Sequence, residues 1–366
     1  MKILLIAPLP PPTHGQSLAS DVIYRELREH HDVQAVDMAK PIARHRWGSL
    51  GRVLPIFRVL AEVARRKRGV DIIYLSISES LLGNFKDLCI YLICYRSLDR
   101  MFIHLLGGAG MKRMLDKRGV QYRLNRAFIP RLKGVIVEGQ AQAATFATLA
   151  RQEHIHIVHN FAEDFLFVDE PSIARKFAAT TTLNVLFLSN LLPGKGHEEL
   201  LAAFLELRDD LKAKIRIAFV GGFESEAART AFLKRLDGHA ALRYLGNFIA
   251  GEAKKALYGE THVFCLPTYY PYEGQPISIL EAYATGCVVV TTRHSGIPEV
   301  FADGVNGYAV DTRSAESIRV ALERMLGRPE RLVDVALTNR RVAGDAYTAR
   351  VYKSALSQIL VGSPVS

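Results

Sequence analysis

The chain opens on an unbroken apolar run over residues 2–7, closed by Pro8. A run without alternation is what a strand buried on both faces of a parallel sheet requires. A proline-rich loop follows to Gly15, then helical spacing over 17–29, then a second apolar run at 33–36. Further runs recur at 72–76, 101–106, 134–138 and 155–159, with helical patterns between them. This alternation predicts a doubly wound α/β sheet. A second series then begins. A strand at 184–189 leads into a loop over 190–196 and a helix over 197–208, and the next strand, 215–220, ends in Gly221-Gly222. Shorter apolar runs follow at 243–245, 263–266, 287–291 and 307–310. Two sheets predict two domains, 1–165 and 166–344, with the boundary in the strandless stretch 163–182. The closing helix, about 347–360 within the segment 345–366, fits either domain and has the length to pack back on the first.

Composition agrees with a globular chain large enough for two cores: 366 residues, 49% apolar and 23% charged. The run 88–94 is too short to span a bilayer and is flanked by Lys86, Asp87, Arg96 and Asp99. The first eight residues are too short, and too soon interrupted by proline, for a secretion signal. The expected location is therefore cytoplasmic. Cys89, Cys94, Cys265 and Cys287 form no C-x-x-C pair and sit at no zinc spacing, which predicts buried thiols in a reducing compartment.

The formal charge of +10 changes the picture locally. Between Lys40 and Arg68 stand Arg44, Arg46, Arg52, Arg58, Arg65, Arg66, Lys67 and Arg68 against Glu62 alone. Elsewhere the signs mix, so no nucleic-acid partner is expected. Val53, Ile56, Phe57, Leu60, Val63 and Ala64 lie at helical spacing, with Arg52, Arg58, Arg65 and Arg66 off that stripe. Residues 44–68 read either as a surface for anionic lipid, which would make the protein peripheral on the inner face of the plasma membrane, or as an ordinary domain helix with a solvated basic face.

The chemistry concentrates in 267–285, P-T-Y-Y-P-Y-E-G-Q-P-I-S-I-L-E-A-Y-A-T. This segment leaves the C-terminal end of a strand, where open α/β sheets bind ligands. Gly274 lets backbone pass close to a ligand, and Pro276, after Gln275, suits the first helical position. The amides of Ile277, Ser278 and Ile279 would then lie unpaired at a helix start, a ready anion site. Glu273 precedes the helix and Glu281 lies inside it, roughly 7–8 Å along the axis at about 1.5 Å per residue. That is about the span from a diphosphate to the ribose of one nucleotide. Glu281 can then accept ribose hydroxyls while Glu273 faces a sugar. On the plainer alternative, Glu273 is a solvated turn residue and Glu281 a helix-surface residue.

The Glu273/Glu281 pair, spaced E-x7-E and followed by Ala282, resembles the signature of family 4 retaining glycosyltransferases (glycosyl transferases group 1) of the GT-B fold. Gly194-Lys195-Gly196 after a strand, Gly221-Gly222 at the end of the next, Ser295-Gly296-Ile297-Pro298-Glu299-Val300, and Asp303-Gly304-Val305-Asn306-Gly307 resemble the family's other motifs in order. The likeness covers most of 180–312. In the first half it is looser and rests on Gly15, His104 and His159-Asn160. It implies two Rossmann-like domains facing across a cleft, the first for acceptor and the second for a nucleotide-sugar donor. It implies catalytic roles for Glu273 at the sugar, Lys195 at the donor phosphate and His104 near the sugar from the other domain. Gly15, Asn190, Gly222 and the run Gly274, Gln275, Pro276, Ile277, Ser278, with Glu281 on the ribose, would complete the donor site. Lys195, His104 and Gly15 also have plainer readings, as a solvent-facing lysine, a structural histidine and a turn glycine.

The resemblance further implies retention of anomeric configuration. The chain has no Asp-x-Asp, so a metal-independent reaction without cofactor is expected, with a nucleotide-diphosphate sugar as substrate and a saccharide or lipid-linked saccharide as acceptor. Surface polysaccharide or glycolipid synthesis is the expected setting. One departure stands out: Asn190 occupies the place where many family members carry a phosphate-clamping arginine. It is the one feature favouring the alternative, an inactive relative serving as a binding subunit of a polysaccharide assembly complex. A dehydrogenase is disfavoured because the first loop reads P-L-P-P-P-T-H-G-Q rather than G-x-G-x-x-G, and 193–196 lacks phosphate-loop spacing.

Overall fold

The structure, a computed structural model, describes residues 1–11, 13–38, 50–178 and 181–362, and the side chains of the helix that starts at Leu50 from Pro55 onward. The chain divides into two units, residues 1–160 with 350–366, and residues 161–349.

The first unit holds six strands: β1 (Lys2–Ala7), β2 (Asp32–Asp37), β3 (Ile72–Ser76), β4 (Met101–Leu105), β5 (Gly134–Val137) and β6 (Ile155–Ile157). They form one parallel sheet in the order β2-β1-β3-β4-β5-β6. The second unit holds β7 (Leu183–Leu188), β8 (Ile215–Val220), β9 (Leu242–Tyr244), β10 (Val263–Leu266), β11 (Val288–Thr291) and β12 (Gly307–Ala309), all parallel, in the order β12-β11-β10-β7-β8-β9. All twelve apolar runs of the sequence are strands. The central residues of β1, β3, β4, β5, β10 and β11 are fully buried because helices cover both faces of each sheet, and each such Val, Leu or Ile contributes about 1.5–3 kcal/mol; the edge strands β2, β6, β9 and β12 are only partly covered.

In both orders the direction of winding reverses once, between β1 and β3 in the first sheet and between β7 and β10 in the second. At such a switch point the two flanking loops diverge and leave a crevice beyond the strand ends. The loop after β7 carries Lys195 and the loop after β10 carries Glu273, so the second switch point is where the sequence motifs converge.

The stretch 163–182, read as strandless, contains the helix Glu170–Ala178, whose buried Ile173 packs against Gly286. The chain leaves the first unit after Asn160 and returns at Arg350. Within the second unit, Ala162 donates to the Tyr347 carbonyl (2.8 Å) and Ala349 donates to Asp164 Oδ1 (3.1 Å). The outgoing and returning segments are thus bonded side by side. The closing helix Ala349–Val361 packs within the first unit, where Lys353 pairs with buried Glu26 at 2.9 Å. All four thiols are free. Cys89 is half-buried, against the expectation of four buried thiols, because its helix turns that face outward.

Candidate functional site

The site is assembled from loops that leave neighbouring strands. Beyond β7 the chain turns through Gly194 and Gly196. Gly196 has φ +88°, and a Cβ there would stand 2.4 Å from the Pro267 carbonyl oxygen. Only glycine permits both this backbone and this approach. The contact lays the Lys195 loop against the exit of β10, and Tyr269 N–H donates to the Gly194 carbonyl at 2.7 Å.

Lys195 Nζ then meets both carboxylate oxygens of Glu273, at 3.0 and 2.8 Å, and Thr268 Oγ1 donates to Oε2 at 2.8 Å. Lys195 Nζ also lies 4.8 Å from the Tyr270 ring centroid, a distance at which a cation is attracted to the ring face. The two side chains are 12% and 9% exposed. The plainer readings of Glu273 as a solvated turn residue and Lys195 as a solvent-facing lysine are therefore incorrect. The β11–β12 connection braces this loop: Ser295 Oγ donates to the Glu273 carbonyl (2.5 Å), and His294 Nε2 lies 2.8 Å from the Tyr270 carbonyl. Gly296 packs on the Gly274 backbone.

The following helix is Ile277–Ala284. Pro276 precedes it as N-cap (φ −65°, ψ 116°), which corrects its placement at the first helical position. Its extended ψ keeps it outside the helix. Its carbonyl accepts from Ile279 N–H at 3.1 Å, so of the three amides expected to be unpaired, those of Ile277 and Ser278 remain without a protein acceptor among the described residues. Gly274, Gln275 and Pro276 are buried and Ser278 is half-buried.

Glu281 is 3% exposed and not a helix-surface residue. Lys254 Nζ bonds its Oε1, and Tyr258 OH donates to its Oε2 at 3.2 Å. Lys254 also pairs with Glu163 at 2.9 Å. Burial pushes the Glu281 carboxyl up, opposed by the Lys254 ammonium. Burial pulls Lys254 down, but the carboxylates of Glu281 and Glu163 hold it above its ordinary value. Each Glu281 oxygen thus has one protein donor, and a carboxylate offers about four acceptor positions, so two remain for a ligand.

The glycine pair after β8 divides its work differently from expectation. Gly221 (φ +144°) is the position that must be glycine, since a Cβ would meet the Ser189 carbonyl oxygen at 1.8 Å. Gly222 stands in open space, with only Asn190 Oδ1 near, 3.9 Å from where a Cβ would be. Asn190 itself is exposed just beyond β7.

The first-unit residues behave otherwise. His104 is fully buried on β4, and its Nδ1 lies 2.7 Å from the hydroxyl of Tyr74 on β3. Burial pulls its pKa down to about 3. The ring is enclosed, as the plainer structural reading expects, while its Nε2 has no hydrogen-bond partner among the described residues. Gly15 is exposed at the start of the helix Gly15–His30. The turn there is closed by its neighbours: His14 N–H donates to Ser17 Oγ, and Ser17 N–H donates to His14 Nδ1.

Lys254 and Tyr258 escaped the sequence reading, and Thr268 and Ser295 stood in the quoted motifs without an assigned role. Lys254 is one of two adjacent lysines in a polar helix, and no spacing rule connects it to a glutamate 27 positions on.

Two parallel six-stranded Rossmann-like units, the second with its motif loops gathered at the switch point, define the GT-B class of fold. The family model of the glycosyl transferases group 1 matches residues 169–341, a little under half of the chain. The chain is 30% identical over 185 residues to a GDP-mannose-dependent alpha-(1-6)-phosphatidylinositol monomannoside mannosyltransferase of Mycolicibacterium smegmatis, a match covering 49% of this chain and 47% of that protein. The match thus spans about half the length of that curated relative. Among solved structures, HepE of Anabaena in complex with UDP and glucose superposes with a TM-score of 0.73 at 16% identity, covering 99% of this chain and 100% of that one. The sucrose-phosphate synthase of Thermosynechococcus elongatus gives 0.73 at 15% identity over 98% of each chain.

Proposed function

We propose that the protein is a retaining, metal-independent glycosyltransferase that moves a sugar from a nucleotide-diphosphate donor to a saccharide or lipid-linked saccharide acceptor, in surface polysaccharide or glycolipid synthesis at the cytoplasmic side of a membrane. The observation that carries the reading is the enclosed Lys195–Glu273 pair at the second switch point, one turn of chain from the open amides of Ile277 and Ser278. Departure of a nucleoside diphosphate builds negative charge on the leaving oxygen. Fixed amides and a desolvated ammonium stabilise such charge without reorganising. Lys195 would transfer part of its pairing from Glu273 to the donor phosphate. Glu273, held by Thr268, would then face the transferred sugar, and Glu281 would take the ribose hydroxyls with its two remaining acceptor positions. Asn190 brings a donor group but no charge, so the clamp rests on Lys195 and the helix start. The named activities of the relatives, all transfers of sugars, support this class of reaction.

The test is calorimetry of UDP, GDP, ADP and their common sugar conjugates, without added metal, on the wild type and on Glu281→Ala. Tight binding of one nucleotide that weakens in the variant supports the donor site. Absence of any nucleotide binding by the folded protein refutes it and favours the inactive binding subunit, the reading that the uncharged Asn190 suggests.

A further inference from the structure

Among the described residues, fourteen large apolar side chains are exposed, and eight of them fall between Phe57 and Leu124. They are not scattered. On the helix Leu81–Ile93, Leu81, Phe85, Cys89 and Leu92 follow one another at spacings of four, four and three, which is a single stripe along the outer face. Leu81, Phe85 and Leu92 are each more than half exposed. On the helix Val120–Phe128, Val120 and Leu124 make a second stripe, and on the helix Leu50–Arg66, Phe57 stands out at 64%.

The three helices lie side by side, the middle one touching both others. They connect β2 to β3, β3 to β4 and β4 to β5, all steps in one direction across the sheet. Right-handed crossovers therefore place them on one face. Buried Asn84 and Asn125 exchange side-chain amide bonds at 3.0 and 3.4 Å, which fixes the register of two of the helices. Their sequence neighbours Phe85 and Leu124 turn outward beside that clasp.

Charge identifies what this face meets. Between Leu81 and Lys133 the chain carries eleven Lys and Arg against three Asp and Glu, and one of those acids, Asp87, is buried against Lys86. Lys117, Arg118, Arg123 and Arg126 are exposed around the second stripe with no carboxylate in ion-pair reach among the described residues, and Arg131 stacks on half-exposed Tyr95 at 4.1 Å. Contiguous apolar side chains rimmed by unpaired cations are complementary to an anionic bilayer, whose headgroups take the charges while its acyl boundary takes the stripes.

We infer that the outer face of the helices 81–93 and 120–128, with Phe57 beside them, docks on an anionic lipid bilayer. This moves the membrane contact away from the basic segment 44–68 alone. Residues 44–49 of that segment, with Arg44 and Arg46, lie outside the described residues, while Arg58 is in part neutralised by Glu62 at 3.3 Å. The stripe begins at Leu81, just past the C-terminal end of β3, the sheet edge where ligands enter such folds. A docked bilayer therefore presents lipid-borne acceptors to that edge.

The test is co-sedimentation of the full chain with vesicles of phosphatidylglycerol and phosphatidylcholine, against phosphatidylcholine alone, with no donor or acceptor present. It therefore reads docking whether or not sugar transfer is ever detected. The wild type is expected to bind the anionic vesicles and to be released by salt. Leu81→Ser/Phe85→Ser/Leu92→Ser is expected to bind at least about tenfold more weakly. Arg123→Glu/Arg126→Glu changes no apolar residue and is expected to lose more than about tenfold, since each cation near such a surface multiplies partitioning about fivefold. Phe248→Ser, in the second unit, is expected to change nothing. Failure of the wild type to bind anionic vesicles, or wild-type binding by both multiple variants, overturns the inference. A wild-type dimer that the triple variant abolishes overturns it in favour of a second copy of the chain.

Discussion

Lys254→Met removes the ammonium shared by Glu281 and Glu163 but keeps an apolar stem in its place. Unit charges about 4 Å apart interact by about 4 kcal/mol at an effective dielectric of about 20. Loss of one partner of a buried ion pair typically costs about 3–5 kcal/mol, which agrees. In a unit of 161–349, each kcal/mol moves Tm by about 2–4 °C, so a fall of about 10 °C is expected at neutral pH. The sign with pH follows from Glu281. Burial already raises its carboxyl, and without Lys254 nothing on its own helix or the 251–260 helix but the neutral Tyr258 hydroxyl opposes that rise. The folded variant then takes up a proton at higher pH than the unfolded chain does. Its deficit is largest above the raised pKa and shrinks on acidification. Thermal melts across pH, for Lys254→Met, Glu281→Gln and the double variant, measure this directly. The double variant should be more stable than the sum of the two single losses implies. Nucleotide affinity in Lys254→Met should climb with pH, because only the ionised carboxyl is a strong acceptor for ribose. A deficit that is the same at pH 5 and at pH 8, and additive with Glu281→Gln, would refute the account of Lys254 as the charge that keeps Glu281 ionised.

Three further outcomes are expected. Gly221→Ala should cost several kcal/mol, at least about 2, in chemical denaturation, whereas Gly222→Ala should stay within about 0.5 kcal/mol, because only the first would drive a Cβ into the Ser189 carbonyl. Wild-type stability should be complete above about pH 6.5 and fall as pH drops toward about 3, because buried His104 and His197, pulled down to about 3 and about 4, must gain protons that the unfolded chain accepts earlier. His104→Gln should flatten that slope in acid melts and leave calorimetric nucleotide binding unchanged. Asn190→Arg should tighten nucleotide binding by up to about tenfold, since it adds a charge-assisted hydrogen bond of about 1.5 kcal/mol at an exposed position beside the second switch point.

The inner strands were legible because parallel strands covered on both faces need unbroken apolar runs, as at 2–7 and 263–266, whereas edge strands such as 33–36 and 243–245 carry polar residues and were placed by their alternation with helical patterns. The switch-point loops were legible through glycine and proline, whose backbone demands show in the sequence itself. His104 was not: an imidazole on a buried strand has the same letter as one in a site, and its enclosure beside Tyr74 shows only in the structure. The helix Glu170–Ala178 was missed because a single buried residue, Ile173, anchors it, too little for a periodic signal.

What the letters could not carry at all was pairing. Glu273 and Glu281 were found as two carboxylates eight positions apart, yet each works against a lysine from a different part of the chain, Lys195 on the loop after β7 and Lys254 on the helix before β10. The sheet order explains why. Winding reverses between β7 and β10, so residues 78 positions apart share one crevice while nearer ones do not. The two pairs also differ in kind. Lys195 is bidentate on Glu273 at a loop margin where a phosphate can compete for it. Lys254 is locked between two carboxylates, where exchange would strand a buried charge. Of the two lysines, the first is built to change partners during a reaction and the second to keep its partner fixed.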